Sequence, residues 1–232
     1  MNLTGKSTAR LVLYLAFCAA ILLVPSVLDD AFLLNKYSRY LVFAILAVSL
    51  SLSWGYAGIL NLGQAATFGL GSYAMAMGLK LRTVPVHTGS EGLPDFMVWN
   101  NVTELPWFWA PFHSMTFAIL AGLLIPAAFA ALLGWFMFRG RITGVYASII
   151  TLAVLVVVNL LIIDQQRYTG GFNGITDLAQ FEVAGFFFDA YSATTYYLVA
   201  LCLCAVLLLS LAVTRSKTGM ILQAIRDQEN RV

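Results

Sequence analysis

Asn61, Gln64, Thr67 and Ser72 place two amides and two hydroxyls within twelve residues of one another. They sit in a stretch of forty residues, Tyr40–Leu79, that holds no Asp, Glu, Lys, Arg or His. Near its middle runs Gly55-Tyr-Ala-Gly-Ile-Leu-Asn-Leu-Gly63, in which Gly55, Gly58 and Gly63 free the backbone. Amides and hydroxyls donate and accept hydrogen bonds without carrying charge. Such a set suits an uncharged polar solute, whereas acid–base or metal chemistry needs His, Asp or Glu. The same groups also serve to bond neighbouring helices, so both roles stay open for each of them.

Other chemistry-bearing residues are weaker signals. Gly5-Lys-Ser-Thr8 has the closing letters of a phosphate-binding loop, but the glycine required five residues earlier would precede Met1. It reads as a basic flank. Cys18, Cys202 and Cys204 fall in apolar runs, and the two sulfurs of Cys-x-Cys splay about 200° apart on a helix. They pack as small hydrophobes; neither a disulfide nor a metal site is expected. His87 and His113 lie in one polar stretch without ligand-like partners. No cofactor is expected.

The elements that must position these groups are membrane helices. Hydrophobic residues make up 60% of the chain and charged residues 10%, far from the roughly 25% charged of soluble domains. A span needs about 20 apolar residues, so the forty-residue run holds two, turning at the glycines. Further runs bring the total to six spans, at about 11–28, 41–55, 64–81, 115–138, 142–163 and 191–214. The fold class is an all-α, polytopic helical bundle, one membrane domain over 1–232 with a broken helix near 55–63. Irregular backbone at membrane depth survives only against protein or a wet pathway. Lys6 and Arg10 before Leu11–Val24 also resemble a signal peptide, but no small-x-small cleavage site follows. With both ends cytoplasmic, eight basic residues lie inside and five outside, and Arg139 and Arg141 crowd one short inner loop.

Within the third span, Ala65 and Gly69, then Ala74 and Gly78, repeat small residues four apart, a spacing that lets helices approach closely in lipid. Two loops, 82–113 and 164–190, fall outside. The first ends in Trp107, Trp109 and Phe112, as an interfacial aromatic belt does. The second carries Gly170, Gly171, Asn173 and Gly174, which fit either a tight turn or an external gate and receptor-docking surface. After the last span, Thr218 starts a predicted helix over 218–231. Met220, Ile221, Ala224 and Ile225 share one face, and mixed charges favour docking on a protein partner over a lipid surface.

Three stretches together resemble the permeases of the branched-chain amino acid and urea ABC importers. They are Trp54–Gly63 with Gly69-Leu-Gly-Ser-Tyr73, then Thr169-Gly-Gly-Phe-Asn-Gly174, then Gly219 with Ala224-Ile-Arg-Asp-Gln-Glu229. Leu93-Pro-Asp-Phe-Met97, Glu104–Trp109, Gly144–Thr151 and Asn173–Asp177 are most similar to the second permease branch of the urea importers. Gln64 departs from the pattern, where a histidine is common. The resemblance implies a bacterial inner-membrane subunit that pairs with a second permease, two cytoplasmic ATPases and an extracytoplasmic solute-binding protein. It implies that 218–231 is the coupling helix, with Gly219, Ala224, Arg226 and Glu229 facing an ATPase. Members of the family continue beyond this helix, so the chain is expected to be a piece of a longer permease.

The expected function is a permease subunit of an ATP-driven importer, with urea as the solute and branched-chain amino acids as the alternative. The rival classes are a passive channel, which has no need of the amphipathic helix, and a membrane enzyme, which needs intramembrane acid–base groups.

Overall fold

The computed structural model describes residues 3–28, 30–83, 92–142, 144–183 and 185–227. His87, Glu229 and the last residues of the expected 218–231 helix lie outside them. The fold is almost wholly helical, and it divides into two compact units, residues 1–59 with 182–232 and residues 60–181.

The first unit holds α1 (Leu3–Val27), α2 (Ala31–Ala57), α8 (Ala193–Arg215) and α9 (Lys217–Asp227). Gly5–Thr8 is simply part of α1. Pro25 also lies inside α1 and has no N–H, which deprives the Ile21 carbonyl of its usual intrahelical donor. Tyr196, only 1% exposed, donates its hydroxyl to that carbonyl at 2.9 Å. A proline in one helix is thus matched by a tyrosine on another. Around this bond pack Cys18, Ile21, Leu34, Ala200, Leu203, Cys204 and Leu207. Cys18 and Cys204 belong to that apolar cluster, while Cys202 faces outward.

Helix α2 starts ten residues before the expected 41. Asp30 caps it, its Oδ1 accepting from the Phe32 N–H at 2.8 Å and from the Leu33 N–H at 3.4 Å. Lys36 and Arg39 are therefore helical rather than loop residues. The 27 residues of α2 reach about 40 Å, longer than a hydrocarbon core of about 30 Å. The glycine break follows the end of this helix and precedes α3, between the two expected spans; what differs is where the first of them begins. The cap at Asp30 supplies the length that the charge-free run concealed.

The second unit contains α3 (Gln64–Thr83), α4 (Asp95–Trp99), α5 (Met115–Arg139), α6 (Gly144–Asp164) and α7 (Gln166–Thr169). Short 3-10 turns lie at Ala110–His113 and Gly171–Asn173. The small residues of α3 divide into two roles. Gly71 lies against the backbone of Gly122, and Gly78 against Ala118, so α3 and α5 meet almost backbone to backbone. Ala74 is buried at the same interface, whereas Gly69 has no heavy atom within 4 Å of where a Cβ would stand. One small pair packs and the other leaves space.

The loop between α3 and α5 is folded onto these helices. Leu93, Phe96, Met97 and Phe112 join Met77, Leu81 and Met115 in one core. Lys80, its side chain 6% exposed, pairs with Asp95 at 3.0 Å, the partner a buried ammonium requires. The Trp109 indole N–H donates to the Tyr168 carbonyl at 3.0 Å, and the Thr83 hydroxyl to the Asp177 carbonyl at 2.9 Å. Of the three rings expected in an aromatic belt, Trp107 is 86% exposed, whereas Phe112 is buried and Trp109 is half-buried in its indole bond. Internal packing claimed two of the three rings. After α7 a two-stranded hairpin, β1 (Phe181–Val183) and β2 (Phe186–Phe188), stands where the sequence suggested only loop. Its aromatic content suits a strand.

Candidate functional site

The break after α2 is held by specific bonds. Gly58 takes φ 73°, the left-handed conformation that ends a helix, and its N–H returns to Trp54 O at 3.1 Å. The Ser53 hydroxyl donates to the Ile59 carbonyl at 2.8 Å. In the other unit the Asn61 Oδ1 accepts from the Gly63 N–H at 2.9 Å, and the Leu62 N–H donates to Thr151 Oγ1 at 3.1 Å. Thr151 is fully buried in α6 and its hydroxyl donates to the Ala147 carbonyl at 2.9 Å. Backbone freed by the glycines is thus satisfied by protein groups. Thr151 is the residue that spacing alone did not single out for this role.

These bonds also show where the pathway candidates lie. The Thr67 hydroxyl donates to the Gln64 carbonyl at 2.7 Å and the Ser72 hydroxyl to the Phe68 carbonyl at 2.9 Å. Asn61, Thr67 and Ser72 therefore bond their own backbone neighbourhood. Gly55, Gly58, Asn61, Gly63, Gln64, Thr67 and Ser72 are all absent from the lining of a cavity that lies between α3 and α6.

That cavity, about 360 Å³, lies between α3 and α6 beneath the Gly171–Gly174 turn. Its volume is at the small end of the range for ligand pockets. On α3 it is walled by Ala65, Gly69 and Tyr73, at intervals of four on one face, with Ala66 beside them. Gly171, Asn173 and Gly174 of the expected gate line it, and Phe172 stands at the rim, 88% exposed. Gly170 does not line it but makes the turn possible: at φ 80° a side chain there would overlap the Gly174 carbonyl. Tyr73 and, from α6, Asn159 supply polar groups that the sequence reading passed over. Asn159 had a signal, since it is the one polar side chain between Leu152 and Ile163. All of the lining residues are uncharged.

In the first unit, α9 has an internal attachment. Arg226 Nη1 donates to the Gly55 carbonyl at 2.6 Å, at the end of α2, where carbonyls lack helical partners. Its aliphatic stem lies over Gly58, where a Cβ would stand 2.7 Å from Arg226 Cγ. Gly219 is buried, and a Cβ there would come within 2.6 Å of the Val213 and Thr214 carbonyls. Both residues, expected to face an ATPase, are engaged within the chain: one makes the α8–α9 corner possible and the other fastens α9 to α2. Ala224 stays exposed beside Met220 and Ile221.

Helices α2, α5, α6 and α8 are each long and apolar enough to cross a membrane, and α1 adds a shorter apolar stretch, Leu11–Val27. These helices make it a polytopic membrane protein. The chain belongs to the branched-chain amino acid transport system / permease component family, whose model matches residues 32–232. It is a transport component of ABC type rather than an enzyme. No curated protein and no solved structure gives a significant match.

Proposed function

We propose that this chain is the permease subunit of an ATP-driven importer of urea in a bacterial inner membrane. The observation that carries the solute is the uncharged lining of the α3–α6 cavity. Urea presents amide donors and a carbonyl acceptor, which neutral groups can match. A zwitterionic amino acid brings a carboxylate and an ammonium, costly in a low-dielectric passage unless each is paired. The family description favours a second reading, branched-chain amino acids. Uptake of labelled urea and labelled leucine by cells making the full transporter distinguishes them. Urea accumulation that depends on ATP and falls on Gly69→Phe, a substitution into open space, is the expected result. Accumulation of leucine but not urea would overturn the solute.

The importer reading adds α1 and α3 to the four apolar helices, giving six spans with both ends cytoplasmic, a second permease, two ATPases and an external solute-binding protein. Exposed Met220, Ile221 and Ala224 on α9 support a groove-bearing ATPase partner. Orientation is tested by single cysteines at Gly174 and Ser216. An impermeant external reagent is expected to label position 174 and spare 216; the opposite pattern inverts the topology.

A further inference from the structure

We propose that Tyr73 and Asn159 are the pair that binds the solute, reading it as a planar neutral amide. This rests on the urea reading above. The two residues stand on opposite walls of the α3–α6 cavity. Among the described residues neither side chain makes a hydrogen bond to the protein, unlike Asn61, Thr67, Thr151 and Ser72. Asn159 sits in the most apolar part of α6, between Val158 and Leu160, and opens toward the cavity. An amide in a membrane helix is retained only where something polar meets it. Gly69, one helical turn before Tyr73, lines the same cavity and leaves open space beside it.

The chemistry of the pair selects the ligand class. A carboxamide presents one carbonyl acceptor beside an N–H donor. Urea presents the same two groups in complementary order, so the two can pair through antiparallel N–H···O=C bonds. The Tyr73 hydroxyl then donates to the second lone pair of the urea oxygen or accepts from its other amino group. A carboxylate satisfies only the donor half of Asn159 and leaves its carbonyl facing negative charge. An alkyl side chain satisfies neither group.

The test uses the complete transporter with its own partner subunits, and measures concentration dependence of urea uptake together with the amount of protein in the membrane. Asn159→Leu is expected to raise KM for urea by about tenfold or more, and Tyr73→Phe by several-fold, the scale of one or two lost hydrogen bonds. Maximal rate should change less than KM. Asn159→Asp should move the preference from urea toward guanidinium by at least about tenfold, because a carboxylate recognises a cation of the same shape. A helix-packing role for Asn159 predicts lower protein level or maximal rate with KM and preference unmoved, and that result overturns the proposal. Absence of urea uptake by the unaltered complex overturns the solute reading and this pair together. Unchanged KM and preference in variants of a urea-transporting complex overturns the pair alone.

Discussion

Gly219→Leu and Arg226→Glu each remove solute uptake while the chain stays in the membrane. At position 219 the obstacle is backbone: a Cβ would meet the Thr214 carbonyl at 2.5 Å and the Val213 carbonyl at 2.6 Å. Those atoms belong to the end of α8 and cannot swing aside like a flexible side chain. The corner must open, and α9 then leaves the end of α2. At position 226 the guanidinium bonds the Gly55 carbonyl at 2.6 Å, where partial negative charge collects at a helix C-terminus. A glutamate there meets the same carbonyls with the wrong sign. Uptake is expected to fall by more than about tenfold in each variant, beyond what one lost charge-assisted bond alone gives. Arg226→Lys, which keeps the charge but loses the planar fork, should lie in between. Uptake is measured beside the membrane level of the chain and ATP hydrolysis by the complex. Wild-type uptake by both Gly219→Leu and Arg226→Glu would sink the role of α9 as a force-transmitting helix.

A second large effect is expected where α3 and α5 touch. Gly78→Ala builds a methyl group directly onto the Ala118 Cβ, with the Phe112 carbonyl also close by at 3.6 Å. Overpacking of this kind costs about 1–3 kcal/mol, and here the element forced away is a whole helix rather than one side chain. The position is buried and continuous with the core that holds Met77, Phe112 and Met115. Thermal stability of the detergent-solubilised protein should drop. The obstructing atom is a single methyl, so Ala118→Gly in the same chain should restore much of what is lost. The two changes are therefore non-additive, with a coupling of about 1 kcal/mol or more. A double variant no more stable than the sum of the two singles predicts would mean that α3 and α5 do not approach at this point.

The amino-acid sequence determined by itself what does not depend on partners across the fold. Apolar runs between charges specify helices suited to lipid, because each helix satisfies its own backbone bonds. Glycines at 55–63 and 170–174 mark breaks, and the amphipathic order of 218–227 marks a helix with one sticky face. Tertiary structure alone decided how these parts are used. Two small-residue pairs on α3 look identical in sequence, yet α5 fills the space beside Gly78 and nothing fills that beside Gly69. Asn61, Thr67 and Ser72 have short side chains whose nearest acceptors and donors are local backbone, so they turn to it, while Tyr73 and Asn159 reach open space instead. Arg226 and Gly219 carry family-like spacing, but it took the fold to bring Gly55, Val213 and Thr214 against them. Spacing along one helix specifies which residues share a face. What stands opposite that face depends on a helix elsewhere in the chain, and only packing assigns it.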